Sequence, residues 1–352
     1  MSLRAQRGSP LQAQGRAKSR KNIQMTTSRE IVSQTISFQT PARFAYDFPE
    51  KYGSDFYWAG MEPSPDARPR SGVDEWGAVW ENIGSMTLGQ VKNYPLKDWA
   101  DFDRLSIPDI HAPRRWTCLD GIRQKAGERF LLGNGISIYE RVHFIRGLEN
   151  TWMDIHTAPE ELGHLLDILV EMNLAAIQRY AALGFDGLIF PDDWGLQDRL
   201  MISPAAWRKI WKPRYGRIFQ ASHAAGLHTF LHSCGHIVDI LDDLIEIGLE
   251  VIHMDQQENM GLELLGERFG GRITFFAPVD IQKTMATGTL AEIRAYCRSM
   301  ARLLGRPEGG FMPRWYSDPT GAGHRPEAID AMCAEFLSIS QNLAQVFHPA
   351  PA

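Results

Sequence analysis

Residues 228–248 read HTFLHSCGHIVDILDDLIEIG and hold the unit around which the rest of the chain is organised. The β-type run at 228–231 predicts a strand, and the apolar pattern over 237–247 predicts a helix. Between these two elements, His232 and Cys234 lie two residues apart. Since residues i and i+2 of an extended segment point to the same side, an imidazole and a thiolate could here face one metal ion.

The His-x-Cys pair also has a purely structural interpretation, in which the cysteine is buried and the histidine caps the following helix. Zinc sites use three or four protein ligands, so two residues do not complete one. A metal at this strand end therefore requires further ligands from other parts of the chain.

Strand-then-helix units of the same kind recur on both sides of this stretch. Strands are predicted at residues 43–48, 129–132, 187–190, 228–231, 250–254, 272–277 and 309–312. Helices are predicted at residues 139–153, 159–183, 203–226, 237–247, 261–269, 289–304 and from 326 onward. Ser203 is expected to cap its helix, and Thr289 with Glu292 forms a capping box. Short strands or hairpin pieces are expected at 76–80 and 86–91.

This alternation argues for a parallel sheet in an α/β protein. Five units lie between residues 187 and 346, with two or three weaker ones before them. That count fits a (β/α)8 (TIM) barrel better than an open doubly wound sheet. No Gly-x-Gly-x-x-Gly motif follows a predicted strand, which further disfavours a dinucleotide-binding fold. We therefore expect a single-domain (β/α)8 barrel over residues 40–348.

The first 35 residues have a different composition from the rest. Basic residues at positions 4, 7, 16, 18, 20 and 21 lie among Ser, Gln and Gly, with no acidic residue before Glu30. The segment lacks the apolar core of a secretory signal. We expect a basic, disordered N-terminal extension over residues 1–35, with a true start at Met25 as the alternative.

The overall composition disfavours several classes of partner. A formal net charge of −5 gives no general attraction to nucleic acid or to an anionic membrane. No apolar run reaches the roughly 18 residues that span a bilayer. The four cysteines, at 118, 234, 297 and 333, show no paired spacing, which predicts a reducing cytoplasm, and the last two fall on apolar helix stripes typical of a core. We expect a cytoplasmic protein that acts on a small molecule, with a homodimer as a candidate assembly.

Polar residues follow most of the predicted strands, at the end where barrel enzymes place their active sites. These residues are Asp47, Asn134, Asp192, Asp193, His232, Cys234, Asp255, Asp280, Arg314, Tyr316 and Ser317. Aspartates at strand ends often cap the next helix, and we assign that role to Asp280. Asp192 and Asp193 are harder to explain in this way, because Ser203 already caps the helix that follows them.

Three motifs resemble the uroporphyrinogen decarboxylase superfamily: FPDDWG at 190–195, FLHSCG at 230–235 and GGFM at 309–312. The resemblance covers roughly residues 40–345, and it is most specific over 184–346. It implies a (β/α)8 barrel and one of two chemistries. Members either decarboxylate the acetate groups of a tetrapyrrole without a cofactor, or use zinc to transfer a methyl group between a corrinoid and a thiol or methylated substrate.

Two features place the chain closer to the methyltransferase branch of that superfamily. The decarboxylases resemble one another in an early Arg-Gln-Ala-Gly-Arg stretch, whereas here no arginine lies between Arg43 and Arg68. An octa-anionic substrate needs several guanidinium partners. The His-x-Cys pair matches two zinc ligands of the methyltransferases, which implies that His232 and Cys234 bind zinc. The third cysteine of that branch and the late histidine of the decarboxylases would both fall near Ser317, and both are missing.

The resemblance thus implies a zinc-dependent enzyme that moves a methyl group between a methylated small molecule and a corrinoid protein or thiol. The third zinc ligand is expected from Asp192, Asp193, Asp255, Asp318 or the substrate. The expected catalytic residues are Asp192, Asp193, Tyr139 and Arg314, and the expected substrate-binding residues are Trp194, Asp255, Trp315, Tyr316 and Ser317. Because the sequence has no Asp-x-His-x-x-Gly motif, a corrinoid is expected on a separate carrier protein.

Two other functions stay open. A carboxy-lyase of porphyrin metabolism, of the uroporphyrinogen decarboxylase type, would use Asp192 or Asp193 as its acid–base group. A non-catalytic protein that holds a tetrapyrrole or corrinoid would bind its ligand without turnover. A chelator distinguishes the lyase from a zinc enzyme, because the lyase keeps its activity.

Overall fold

The computed structural model of the 352-residue chain describes residues 26–82, 84 and 89–347. In chain order its strands are β1 (Phe56–Trp58), β2 (Gly72–Val73), β3 (Val79–Asn82), β4 (Gly89–Asn93), β5 (Phe130–Asn134), β6 (Gly187–Pro191), β7 (His228–His232), β8 (Val251–His253), β9 (Thr274–Ala277) and β10 (Phe311–Pro313). Its α-helices are α1 (Ser28–Ile36), α2 (Ile122–Ala126), α3 (Glu140–Arg146), α4 (Leu148–Thr157), α5 (Pro159–Ala182), α6 (Pro204–Ile210), α7 (Lys212–Ala224), α8 (Val238–Glu246), α9 (Leu262–Phe269), α10 (Thr284–Thr287), α11 (Leu290–Leu304), α12 (Pro326–Ser340) and α13 (Leu343–Phe347). None of the helices in these ranges is long and apolar enough to cross a lipid bilayer.

Seven strands form one parallel sheet in the order β1-β5-β6-β7-β8-β9-β10. The sheet is strongly curled. This is seen in the ring of Phe56 on the edge strand β1, which stacks on Phe276 of β9 with 5.0 Å between ring centroids. Side chains from all seven strands fill the concave interior: Phe56, Phe130, Leu132, Ile189, Phe230, Val251, Phe276 and Met312. Helices lie between consecutive strands along the chain, which confirms the predicted α/β class.

The predicted strand at residues 43–48 does not form. Asp47 bridges towards β10, where its N–H donates to the Pro313 carbonyl at 3.1 Å. The backbone groups of the preceding residue, Tyr46, bond to Asp55 instead. The Tyr46 N–H donates to the Asp55 carboxylate at 3.0 Å, and the Tyr46 carbonyl accepts from the Asp55 N–H at 2.9 Å. The segment therefore lies between the edge strands β1 and β10 without extending the ladder. Within the described residues the sheet has seven strands where eight were expected.

Helix α1 packs against the N-terminal end of the sheet. Its buried apolar side chains join the interior cluster under the strands, namely Ile31, Val32 and Ile36. The disordered extension predicted over residues 1–35 is therefore wrong for residues 28–35, because their apolar side chains are needed to fill the sheet interior. Residues 1–25 lie outside the described residues, and the prediction for them stays a prediction.

An excursion separates β1 from β5 and carries the antiparallel sheet β2-β3-β4. The short strands expected at 76–80 and 86–91 correspond in part to β3 and β4, although residues 86–88 lie outside the described residues. The excursion is anchored by Arg141 of α3. This guanidinium is fully buried and pairs with Asp66 at 3.2 Å and with Asp74 at 2.9 Å.

Two predicted helices are each divided in two. The helix expected at 139–153 breaks at Gly147, whose φ of +90° ends α3 and begins α4. The helix expected at 203–226 breaks near Trp211. There Pro213 has no N–H for an intrahelical bond, so it lies in the first turn of a new helix, α7.

Several local predictions are confirmed. Ser203 accepts a hydrogen bond from the N–H of Ala206, and Thr289 forms the expected capping box with Glu292. The Asp280 carboxylate accepts bonds from the backbone N–H groups of residues 282–284, as expected for a cap. Cys297 and Cys333 are fully buried in the core.

Glu250, just before β8, should make the fold sensitive to acid. Burial alone would raise its pKa, but hydrogen bonds with His223 and His228 outweigh burial and lower the pKa to about 2. Because the folded pKa lies below the unfolded one, the stabilisation is present above about pH 4 and is lost as the pH falls towards 2. Glu250→Gln should lower the free energy of unfolding at pH 7 by roughly 2 kcal/mol.

Urea unfolding of the wild type and of Glu250→Gln at pH 7 and at pH 3 measures this effect. The matched control is Glu267→Gln, on the exposed face of α9. An equal loss of stability on acidification in the wild type and in Glu250→Gln would contradict the assignment.

Candidate metal centre at the strand ends

Asp193, His232 and Cys234 converge at the C-terminal ends of β6 and β7. One ligand atom from each residue lies within 4.8 Å of the other two. His232 Nε2 is 3.5 Å from Cys234 Sγ and 3.5 Å from Asp193 Oδ1. A tetrahedral zinc ion with ordinary bond lengths holds a nitrogen and a sulfur ligand about 3.6 Å apart. The donor set and its spacing therefore fit zinc, with one coordination position left for a substrate or water.

The two loops that carry these ligands are joined to each other. Asp193 Oδ1 accepts a hydrogen bond from the Cys234 N–H at 2.7 Å, and the Gly195 N–H donates to the Cys234 carbonyl at 3.2 Å. A Cβ on Gly195 would lie 2.5 Å from the carbonyl carbon of Gly235, and a Cβ on Gly235 would lie 2.2 Å from the carbonyl oxygen of Gly195. Neither glycine can carry a side chain, so the spacing of Asp193 and Cys234 is fixed before any ion binds.

The electrostatic surroundings of Cys234 favour a metal ligand over a free nucleophile. Burial raises the pKa of the Cys234 thiol, and the negative charges of Asp193 and Asp255 raise this pKa further. The thiol is therefore neutral at physiological pH unless a cation is close. A coordinated divalent cation removes the proton from a thiol, so zinc would supply what this site otherwise lacks.

Behind His232 lies His253, at the end of β8, which sequence reasoning missed. The Nδ1 atoms of the two rings are 2.7 Å apart. Arg314 Nη1 contacts His253 Nε2 and donates to Asp255 Oδ1 at 3.0 Å. His253, Asp255 and Arg314 are all buried. A signal existed, because His253-x-Asp255 repeats at the next strand end the spacing of His232-x-Cys234.

Burial, Arg314 and His232 together lower the pKa of His253 well below its usual value. The ring is therefore neutral at physiological pH. Metal-binding histidines commonly donate their other ring N–H to an outer acceptor, and a neutral His253 offers His232 such a partner. Of the predicted residues, Arg314 and Asp255 thus lie in a buried chain of contacts that ends on His232.

Glu140 and Arg68 flank the cluster on the side of Asp193, and sequence reasoning missed both. The guanidinium of Arg68 donates to both oxygens of Glu140, at 3.1 and 2.9 Å. Burial and the charge of Asp193 raise the pKa of Glu140, while Arg68 lowers it. Glu140 follows no predicted strand, so the sequence held no signal for it.

Asp192 lies behind the cluster and has no exposed surface. Its carboxylate accepts the backbone N–H groups of residues 138–140 at the start of α3, and it accepts a 2.5 Å bond from the Tyr215 hydroxyl. Burial raises the pKa of Asp192 to about 7 in spite of these bonds. Asp192 therefore holds the start of α3 in place, and the catalytic role expected for it stays a prediction.

Tyr139 and Trp194 are likewise core residues. Their rings stack with 3.7 Å between centroids, and both side chains are fully buried. The Tyr139 hydroxyl accepts from Trp152 Nε1, and Trp194 Nε1 donates to the Tyr215 hydroxyl. Both side chains therefore pack in the core, and the roles expected for Tyr139 in catalysis and for Trp194 in substrate binding stay predictions.

Asp192→Asn should destabilise the fold by roughly 1–3 kcal/mol, because one buried N–H or O–H donor then faces an amide –NH2 instead of an oxygen. Thermal unfolding measures the loss. The neighbouring Asp193→Asn is the control and should stay within about 0.5 kcal/mol of the wild type, since its amide oxygen can still accept from Cys234. Equal destabilisation by the two variants would contradict the distinction between these aspartates.

Of the four carboxylates considered as a third ligand, Asp193 is the one that lies with His232 and Cys234. Asp192 is enclosed under α3, and Asp255 is paired with Arg314 at 3.0 Å. Among the described residues a second group of three ligand atoms converges within 4.8 Å, namely His232, His253 and Asp255. Asp318 belongs to neither group.

The remaining predicted residues follow β10. Tyr316 is half-buried, and burial followed by the charges of Asp255 and Cys234 raises its pKa. Trp315 is half-buried, and its backbone N–H donates to the Asp47 carbonyl at 2.9 Å. Ser317 is exposed to solvent.

Trp58, at the end of β1, adds an exposed aromatic surface that the sequence did not indicate. The residue is 38% exposed, and its Nε1 donates to Asp47 at 3.0 Å. Its ring stacks over Phe276, and the same Phe276 ring packs against His253 and Arg314. Trp58 therefore lies close to the buried chain of contacts and offers a flat apolar surface to a ligand.

The cluster is open to solvent, with the side chains of Asp193 and His232 32% and 20% exposed. Two cavities lie elsewhere: one of about 560 Å³ is lined by residues of β3, β4, α3 and α4, and one of about 510 Å³ by residues of α11, α12 and α13. Neither contains the converging ligands.

A curled parallel sheet with reactive side chains at its strand ends is the architecture of barrel-type α/β enzymes. The sequence model of the family described as uroporphyrinogen decarboxylase (URO-D) matches residues 82–311, and the chain belongs to this family. The matched range includes Asp193, His232, Cys234 and His253, while Arg314 lies just beyond it. The resemblance inferred from the sequence is confirmed.

Among solved structures, a methyltransferase from Methanosarcina mazei has a TM-score of 0.66 at 14% identity, covering 90% of this chain and 99% of that chain. A B12-independent methionine synthase from Shewanella sp. W3-18-1 has a TM-score of 0.45 at 11% identity and covers 64% and 67%. Xylanase 10B from Thermotoga maritima has a TM-score of 0.44 at 10% identity and covers 89% and 98%. The first of these shows a shared fold. A search of the curated proteins finds no match.

Proposed function

We propose that this member of the URO-D family is a zinc-dependent methyltransferase that moves a methyl group between a methylated small molecule and a corrinoid protein or thiol. The observation that carries the proposal is the convergence of Asp193, His232 and Cys234 within 4.8 Å. An imidazole, a thiolate and a carboxylate, with one position open, form a donor set suited to catalytic zinc. The fold shared with a methyltransferase over 90% of this chain supports the same proposal.

Zinc bound by these three residues would lower the pKa of a bound thiol or polarise an ether oxygen. The chain's own groups would prepare the site for that chemistry. His253 orients the ring of His232 through the 2.7 Å contact between their Nδ1 atoms. The hydrogen bond from the Cys234 N–H fixes the Asp193 carboxylate, and both residues belong to the joined loops.

Substrate would enter from the open face of the cluster. The side chains of Trp58 and Tyr316 offer aromatic surfaces there, and Arg68 paired with Glu140 offers a polar edge. We also propose that residues 43–48 take the place of the eighth strand of a (β/α)8 barrel. A corrinoid would be presented at this face by a separate carrier protein, since an exposed strand-end site is accessible to one.

The proposal is tested by methyl transfer from methylcobalamin to a small thiol, with and without a zinc chelator. The thiolate takes the methyl group, the cobalt–carbon bond breaks, and its electron pair stays on cobalt as cob(I)alamin. The rate should fall at least about tenfold in chelator, as for an enzyme that loses its Lewis acid, and it should return with added zinc. Formation of cob(I)alamin is followed by its absorbance.

A metal-free protein with chelator-resistant release of CO2 from a tetrapyrrole would instead indicate a carboxy-lyase. Stoichiometric binding of corrinoid without turnover would indicate a binding protein. Either result would overturn the methyltransferase proposal.

A further inference from the structure

In the hydrogen bonds that connect Asp255, Arg314, His253 and His232, Arg314 determines which atom donates and which accepts. A guanidinium group has hydrogen-bond donors only. Arg314 Nη1 lies against both Asp255 Oδ1 and His253 Nε2, with one hydrogen available for each. His253 Nε2 must therefore accept, so the ring hydrogen of His253 lies on the other nitrogen, Nδ1.

The same reasoning extends to His232. His253 Nδ1–H faces His232 Nδ1 at 2.7 Å, so His232 Nδ1 must accept. The proton of His232 then lies on Nε2, which points towards Asp193 Oδ1 and Cys234 Sγ at 3.5 Å each. The nitrogen that the proposed zinc site needs as a ligand is thus the one that carries a hydrogen.

Metal binding at His232 Nε2 requires the opposite arrangement. The His232 proton then lies on Nδ1, His253 Nδ1 accepts it, and the His253 proton lies on Nε2. There it would meet Arg314 Nη1–H, which places two donors against each other. An alternative acceptor is at hand, because Asp255 Oδ1 lies 3.9 Å from His253 Nε2.

Arg314 is held in a way that permits such a change. In the part of the chain that the structure describes, its Nε is buried without a hydrogen-bond partner. Its guanidinium otherwise rests over the ring of Phe276, 5.5 Å from the ring centroid. If Arg314 releases His253, it gives up one hydrogen bond and keeps its ion pair with Asp255.

We propose that Arg314 is a positioning residue that selects the ring nitrogen of His232 carrying the proton, so that metal loading requires Arg314 to release His253. In the metal-free state Arg314 donates a hydrogen bond to His253, and His253 donates one to His232. In the loaded state His232 donates to His253, and His253 donates to Asp255. The resulting hydrogen-bond series links the metal through two histidines to a carboxylate. This inference rests on the proposed zinc site and adds the condition under which that site fills.

The direct test is nitrogen-15 NMR of the full chain labelled at histidine, without and with one equivalent of zinc. The signals of His232 and His253 are assigned by their loss in His232→Gln and His253→Gln. The metal-free wild type should show hydrogen on Nε2 of His232 and on Nδ1 of His253. Zinc should move both hydrogens to the other ring nitrogen.

The second test compares zinc affinity in two arginine variants by competition with a coloured chelator. Arg314→Met removes the donor, and Arg68→Met removes a neighbouring positive charge without touching the histidines. Arg314→Met should bind zinc about tenfold more tightly than Arg68→Met, the equivalent of one hydrogen bond to a charged group.

The outcomes separate two failures. A wild type that binds no zinc would overturn the proposed function itself. Zinc binding with His232 already carrying its hydrogen on Nδ1 in the metal-free state, or with equal affinities in Arg314→Met and Arg68→Met, would overturn the role of Arg314 alone. If Arg314→Met does not fold, the NMR of the wild type decides.

Discussion

Replacing His232 by alanine together with Cys234 by serine should reduce bound zinc from about one ion per chain to below about one tenth of an ion. The change leaves Asp193 as the only member of the converging set, and a single carboxylate does not hold zinc against buffer. Elemental analysis of protein purified without a histidine tag measures the content directly.

The matched control is the double variant His111→Ala/Cys118→Ser. It removes the same two types of side chain from exposed positions outside the cluster. The control should keep its zinc and its midpoint of thermal unfolding. The His232/Cys234 variant should in addition lose the rise in unfolding temperature that added zinc gives to the wild type, because a ligand that binds only the folded state stabilises it. Equal zinc in the two double variants would rule out the cluster as the binding site.

The second large effect is expected at Asp193. Asp193→Asn should weaken zinc binding by about tenfold to a hundredfold, because a neutral amide oxygen replaces a charged ligand at the same place. The amide can keep the hydrogen bond from the Cys234 N–H, so the joined loops should hold their shape. Competition with a coloured chelator gives the dissociation constant.

Asp192→Asn is the natural comparison, since the two aspartates are adjacent and the substitution is the same. It should lower stability and leave the zinc dissociation constant within about threefold of the wild type, as for residues without a shared ligand. If Asp192→Asn weakens zinc binding as much as Asp193→Asn does, then loop integrity alone controls the site, and Asp193 is not a ligand.

The periodic part of the fold was predictable because its signals are local. The capping box at Thr289 and the strand–loop–helix unit at 228–248 depend on residues within one or two turns of each other, and both are confirmed. The segment at 43–48 was read wrongly for the opposite reason. The N–H and carbonyl groups of Tyr46 form hydrogen bonds with Asp55 instead of with a neighbouring strand. The residues of the segment itself do not indicate this pairing.

For the candidate site, the sequence singled out His232 and Cys234 because two ligand types lie two residues apart at one strand end. Their role as metal ligands stays a prediction. The choice between Asp192 and Asp193 could not be made, because adjacent residues point to opposite sides and the sequence does not say which side is the core. Arg68 and Glu140 reach the cluster from the excursion and from α3, so only the tertiary fold brings them there.

The contact between Gly195 and Gly235 has a consequence for protein engineering. Each glycine leaves room for the backbone of the other loop, so the two loops can be exchanged between relatives only as a pair. A chimera that takes residues 232–235 from another family member, but keeps its own residues 192–195, inherits the ligands without the spacing between them. The spacing between Asp193 and Cys234 thus depends on two distant sequence segments that recombination has to move together.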